Sequence, residues 1–285
     1  MAENTTFLLV HGSWHGAWCW QPVQEKLVEL GFTSLAIDLP GHGLNASLPS
    51  SFLQRPLDPA AFASEASPLA EVGIEVFSEA VLAGARKARA SGADRVIAVG
   101  HSMGGVPLTF AAARHPELFD GVVYLAALAP TPGKPAGAYL ELEDQHNNSK
   151  LGSAIMADPV QIGALRIDPR STDARYLSAY KEAMSADTTE DRDGAIMHLL
   201  TPDAPVSIYG EIAEFEPGFA LLNRHYILCT EDQTVMPSTS RAIVDDMNSA
   251  WPGKTTELVE LKASHSALLS QPKKLAEILA SIAGS

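Results

Sequence analysis

Cysteine is nearly absent. Cys19 and Cys229, alone among 285 residues, cannot build a disulfide framework and are too few for a zinc site. They read as small core residues, and such usage is expected in a reducing, cytoplasmic compartment. Basic side chains are scarce as well: 20 Lys and Arg stand against 34 Asp and Glu, a formal charge of −14. That field opposes phosphate backbones and anionic bilayers, so neither nucleic acid nor a membrane is expected as a partner. Long apolar runs are also missing. In MAENTTFLLVHG only four apolar residues come together and no basic leader precedes them, which is too short for a membrane span or a secretory core. Repeats and low-complexity tracts are absent too.

What is present is alternation. Short apolar runs bounded by Gly, Pro or Asp recur at FLLVHG, SLAIDLPG, RVIAVG, GVVYLAALAP, HYILCTED and TTELVELKAS. Most are continuous, as expected of strands covered on both faces. Helical patterns lie between them at PVQEKLVELG, EVFSEAVLAGARKARASG, GGVPLTFAAARHP and STSRAIVDDMNSAWPG, and PKKLAEILASIA closes the chain. Strand and helix in turn predict an α/β fold with a doubly wound, mostly parallel sheet. Between Pro130 and about Pro217 the strand signals vanish and short helical pieces stand among Pro and Asp breaks. The reading is a core of residues 1–130 and 217–285 carrying a helical insertion, 131–216, without a second sheet. The Pro-, Ser- and Ala-rich NASLPSSFLQRPLDPAAFASEASP is expected as a loop or short-helix excursion beside the carboxyl edge of the sheet.

GHSMG, residues 100–104, fits G-x-S-x-G and follows a strand and opens a helix, the context in which that pattern holds a nucleophile. Gly100 and Gly104 suit the close approach that such an elbow forces around Ser102. A serine hydroxyl needs a base, and the base needs a third group to fix its tautomer. In this architecture the order is Ser, then Asp or Glu, then His. Of the downstream histidines, His146 and His198 belong to the insertion and His225 opens a strand. His265, in LKASHSALLSQP, falls between the last strand and the closing helix and is the candidate base. HYILCT runs into EDQTVMP and sets Glu231 and Asp232 at the carboxyl edge; Asp232 is preferred, with the adjacent Glu231 able to substitute. Oxyanion donors are expected from the backbone N–H of Met103 and, after the first strand, of Ser13, where Gly12 permits a close turn. His11 and His15 read as braces of that loop, and Trp14 as a wall of the pocket, with Trp18 and Trp20 as readily packed beneath it.

These residues resemble the α/β-hydrolase superfamily, in the branch of plant methylesterases and hydroxynitrile lyases, and the same pattern is shared by bacterial pyrethroid-type carboxylesterases. FLLVHGSWHGAWCW, AIDLPGHG, VGHSMGG, YLAALAP, YILCTED and HSALLSQPKKLAEIL carry the resemblance in order along most of the chain. It implies an α/β-hydrolase fold with a sheet of about six strands, a helical cap over an apolar pocket, a triad of Ser102, Asp232 and His265, oxyanion donors at Ser13 and Met103, and Gly12 and Trp14 at the substrate. Lyases of this branch carry threonine where Gly12 stands and lysine where Ser266 stands, so the resemblance favours a cofactor-independent, metal-free serine carboxylesterase for small esters with a bulky apolar or aromatic group. Lyase chemistry, cofactor-free oxygenation on the same triad, and a non-catalytic receptor role are the alternatives. Analogy with relatives allows a homodimer.

Overall fold

The computed structural model describes residues 4–284; the extreme ends of the expected core, residues 1–3 and 285, lie outside them. Six strands form the main sheet: β1 (Thr5–Val10), β2 (Thr33–Ile37), β3 (Arg95–His101), β4 (Gly121–Leu125), and, after the short insertion strands β5 (Ala164–Arg166) and β6 (Asp203–Pro205), β7 (Asn223–Cys229) and β8 (Glu257–Leu261). The order is β2-β1-β3-β4-β7-β8, every pair parallel. The inner strands β1, β3, β4 and β7 are buried almost throughout, which is why their sequences read as unbroken apolar runs; the edge strands β2 and β8 are partly exposed.

From β1 the chain turns first to β2 and then crosses to β3 on the other side of β1. That reversal opens a crevice at the carboxyl ends of β1 and β3, where open α/β sheets bind ligands. Three non-glycine residues with positive φ stand at the ends of strands there: Trp14 (63°) shortly after β1, Ser102 (53°) directly after β3 and Ala126 (44°) directly after β4. Side chains seldom adopt this region, and such strain gathers where function over-determines the backbone.

The segment between β4 and β7 corrects one expectation. Its longer helices, Ala174–Met184 and Glu190–Leu199, lie where the sequence places them, but β5 and β6 pair antiparallel as a second, two-stranded sheet. Three-residue strands are too short to show a period, and Pro205 in one of them speaks against a strand when read locally. What holds the pair is chemistry across the register. Arg166 and Asp203 are opposite each other, and the buried guanidinium donates through Nε at 2.7 Å and Nη2 at 2.6 Å to the two carboxylate oxygens. The same guanidinium reaches the carbonyls of Phe62 and Glu65, fastening the insertion to the excursion after β2. That excursion consists of short helices, Ser50–Leu53 and Pro59–Ser64 among them, as its composition predicts.

Candidate active site

Local sterics around Ser102 explain the glycines beside it. A Cβ on Gly104 would lie 2.4 Å from the carbonyl oxygen of His11, and one on Gly100 would lie 2.9 Å from that of Gly104. Without side chains at both positions the turn from β3 packs against the end of β1 and gives Ser102 its left-handed backbone. Residues 102–104 form a 3₁₀ turn that leads into the helix Gly105–Arg114. Met103 follows the serine directly at the start of this helical run, where N–H groups lack partners within the helix.

The imidazole and carboxylate arrive from the two last strands. Asp232, 3% exposed, lies just beyond β7, and His265 lies beyond β8 with no exposure. His265 Nδ1 is 2.8 Å from Asp232 Oδ2. The other carboxylate oxygen accepts the backbone N–H groups of Thr234 (2.7 Å) and Val235 (3.0 Å), so the carboxylate cannot swing. An ionised carboxylate only accepts; His265 Nδ1 therefore carries the proton, and Nε2 presents a lone pair. Nε2 is buried and has no hydrogen-bond partner. The row expected from sequence is thus closed between Asp232 and His265, while no hydrogen bond joins His265 to the serine. Glu231 points elsewhere: it is half exposed and 3.6 Å from Lys262 Nζ.

The loop after β1 is held from several sides. His11 Nδ1 donates to the carbonyl of Gly12 (2.8 Å) while its Nε2 accepts the N–H of Leu39 (3.0 Å), and His15 Nδ1 donates to the carbonyl of Ser13 (2.7 Å). Both histidines brace the loop as the sequence predicts. Burial holds His11 well below the usual imidazole range and brings His15 to about 4, so each is a neutral strut at neutral pH. Gly12 abuts Ser102: a Cβ there would lie 2.8 Å from the Cβ of that serine. Trp14 ties the loop to the insertion, its indole Nε1 donating to the carbonyl of Leu165 at 2.8 Å and its own carbonyl accepting from the Thr201 N–H at 2.8 Å. Trp20 is fully buried and Trp18 stacks on His15 at 5.4 Å between ring centres, so both pack beneath the loop.

Ser13, Trp14 and Ser102 share a cavity of about 30 Å³ with Leu140, Met184 and Val235. The room is about that of one water molecule. Gly12 is not among its lining residues. Leu128, Leu151, Leu165, Tyr209 and Thr234 complete the lining and were not legible in the sequence, since most come from the insertion and nothing local marks which of its apolar side chains face the crevice. His101 was missed as well. It is buried beside His265, ring centres 4.8 Å apart, and its Nε2 donates to the His265 carbonyl at 3.0 Å. Burial first, and the neighbouring imidazoles of His265 and His15 next, keep it neutral.

Known proteins with this organisation fall in the branches that the sequence resembles. Methylesterase 9 of Arabidopsis thaliana is 27% identical over 285 residues, spanning 97% of both chains. Norfluorocurarine synthase 1 of a Strychnos species is also 27% identical, over 99% of this chain and 96% of its own. Among solved structures, a pyrethroid hydrolase from Sphingobium faniae JZ-2 superposes with a TM-score of 0.72 at 23% identity, covering 99% of this chain and 98% of its own. The model of the family described as "Alpha/beta hydrolase family" matches residues 7–278. With that match running from within the first strand into the last helix, the chain belongs to the alpha/beta hydrolase family.

Proposed function

We propose that this chain is a serine carboxylesterase that works through an acyl-enzyme on Ser102. The observation that carries the reading is the Asp232–His265 pair: the fixed carboxylate sets the imidazole tautomer and leaves a buried, unshared lone pair on Nε2, while Ser102, its backbone held at a φ of 53°, lines the cavity under the insertion. His265 takes the hydroxyl proton as Ser102 Oγ attacks the ester carbonyl. The backbone N–H groups of Ser13 and Met103 receive the negative charge on the carbonyl oxygen, each contributing about 3 kcal/mol to the lowering of the barrier. Protonated His265 returns the proton to the departing alcohol. Water, activated by the same imidazole, then frees the acid. Each of these steps is supplied by side chains and backbone of the chain itself.

The named relatives are consistent with this chemistry, methylesterases and a pyrethroid hydrolase among them, and the residues 131–216 act in this reading as a cap over the apolar cavity. Because the cavity at Ser102 has so little room, the cap must move to admit an ester with a bulky apolar group. Gly12 and Ser266 stand against cyanohydrin cleavage, for a threonine in place of Gly12 would press on Ser102. Assaying 4-nitrophenyl butyrate beside mandelonitrile tests the assignment: hydrolysis of the ester, lost by about 10⁴-fold or more in Ser102→Ala, is expected without cyanide release. Cyanide release in preference to ester hydrolysis would overturn it.

A further inference from the structure

A second cavity, walled by the insertion, does not touch Ser102. It holds about 740 Å³ between the insertion helices Ala174–Met184 and Glu190–Leu199, closed on another side by residues 169–172 and by Arg55. One helix serves both spaces: Met184 lines the cavity at Ser102, while Leu177, Tyr180 and Lys181 line the larger chamber. Between the two stands a pair of rings, Trp14 on the serine side and Tyr180 on the chamber side, edge to face with centres 6.5 Å apart.

Two features of the chamber have no use inside the fold. Tyr180 is 2% exposed, yet its hydroxyl has no hydrogen-bond partner. A buried phenol without a partner is costly and calls for an acceptor from elsewhere. The second feature is charge. Lys181 is neutralised by Asp193 at 2.5 Å, which also accepts from Thr188. Arg55 and Arg170 are exposed at the rim and, among the described residues, pair with no carboxylate: Arg55 donates only to the carbonyls of Phe52 and Gln54, and Arg170 lies 4.6 Å from the Phe52 ring centre. Glu190, at the rim as well, is the one lining carboxylate besides Asp193, which leaves the rim with an excess of positive charge in a chain of formal charge −14.

We propose that this chamber binds the half of the ester remote from the reacting carbonyl, and that this half is an apolar body ending in an anionic group. Its body rests against Leu177, Ile196 and Met197, an acceptor within it takes the Tyr180 hydroxyl, and its charge meets Arg55 and Arg170 at the rim. The link to the reacting carbonyl passes where Trp14 and Tyr180 part. The assignment of this ligand as half of an ester rests on the esterase reading; the binding site does not.

Calorimetric titration of Ser102→Ala with 5-(benzyloxy)pentanoate, whose ether oxygen can accept from the Tyr180 hydroxyl, and with its neutral amide, 5-(benzyloxy)pentanamide, tests the site without turnover. The carboxylate is expected to bind at least about fivefold tighter than the amide, a preference that Arg55→Gln combined with Arg170→Gln reduces to within about twofold. Both positions are exposed, so their replacement leaves the fold intact. Tyr180→Phe should weaken both ligands by about fivefold, and Ile196→Trp, which narrows the chamber where the apolar body rests, should weaken both by about tenfold. Equal affinity for acid and amide, or binding untouched by Tyr180→Phe and Ile196→Trp, overturns the proposal. With the chain that retains Ser102, the ratio of kcat/KM for mono-4-nitrophenyl suberate over 4-nitrophenyl octanoate should fall about fivefold when both arginines are replaced. Ester hydrolysis without probe binding would sink the chamber and leave the esterase reading standing, whereas probe binding in the expected pattern without any ester hydrolysis would do the reverse.

Discussion

Two adjacent carboxylates show how far surroundings decide a role. Asp232 is buried, accepts two backbone N–H groups and holds His265; Glu231 is half exposed beside Lys262. Asp232→Asn should lower kcat for 4-nitrophenyl butyrate by about 10⁴-fold by upsetting the tautomer, and Glu231→Gln should stay within about twofold of the parent. Comparable losses in both variants would show that the pair shares the role. Glycine positions carry a second expectation. Gly12→Ala places a methyl 2.8 Å from the Cβ of Ser102, and displacement of a nucleophile by about 1 Å costs about a hundredfold in rate. Gly104→Ala meets backbone oxygen instead, at 2.4 Å from His11, so its penalty should appear in stability, at about 1–3 kcal/mol by urea denaturation. An active, undiminished Gly12→Ala would mean that the loop after β1 yields more readily than its packing indicates.

At the scale of elements, the insertion is joined to the sheet by a few specific bonds. Met184 accepts the N–H of Ser266 at 3.0 Å, Ala183 accepts the Thr234 hydroxyl at 2.8 Å, and Trp14 donates to Leu165, so the loops bearing His265, Asp232 and Ser13 all touch it. Arg166 and Asp203 hold β5 to β6 within it. Arg166→Met leaves a buried carboxylate unpaired and should cost about 3–5 kcal/mol in urea denaturation, while the apolar pair Arg166→Met with Asp203→Leu should recover most of the loss. Failure of the double variant to recover would locate the worth of Arg166 in the Phe62 and Glu65 carbonyls instead. The same elements mark the limit of what the sequence discloses. Inner strands announce themselves because both their faces are buried, and Ser102 and Asp232 because each follows one of them; His265, after the partly exposed edge strand β8, is marked instead by its place between the last strand and the closing helix. β5, β6, the unpartnered Tyr180 and the leucines around Ser102 depend on contacts between distant segments, which no local pattern encodes. His101 escaped notice for a related reason: lying between a strand and the nucleophile, it reads as part of the elbow, and only the approach of β8 shows that it supports the His265 carbonyl.

Taken as a whole, the molecule is built on imidazoles kept neutral by burial. His11, His15, His42 and His101 all titrate below the ordinary value, desolvation being the largest cause for each, with His15 and His42 at about 4. In the unfolded chain each takes up a proton near pH 6.5. Their contribution to stability is therefore complete above about pH 6.5 and is lost as pH falls toward 4, at about 1.4 kcal/mol per pH unit for each group. Urea midpoints measured from pH 7.5 to 4.5 should fall steeply below pH 6.5; a flat profile would show that these rings find proton acceptors on folding. Covalent capture of Ser102 is the most direct test of its role as nucleophile. After brief exposure to a fluorophosphonate, peptide mapping by mass spectrometry should find one adduct, on Ser102, formed at least about a thousandfold more slowly in His265→Ala. An adduct on another residue, or an equal rate without the imidazole, would contradict the account.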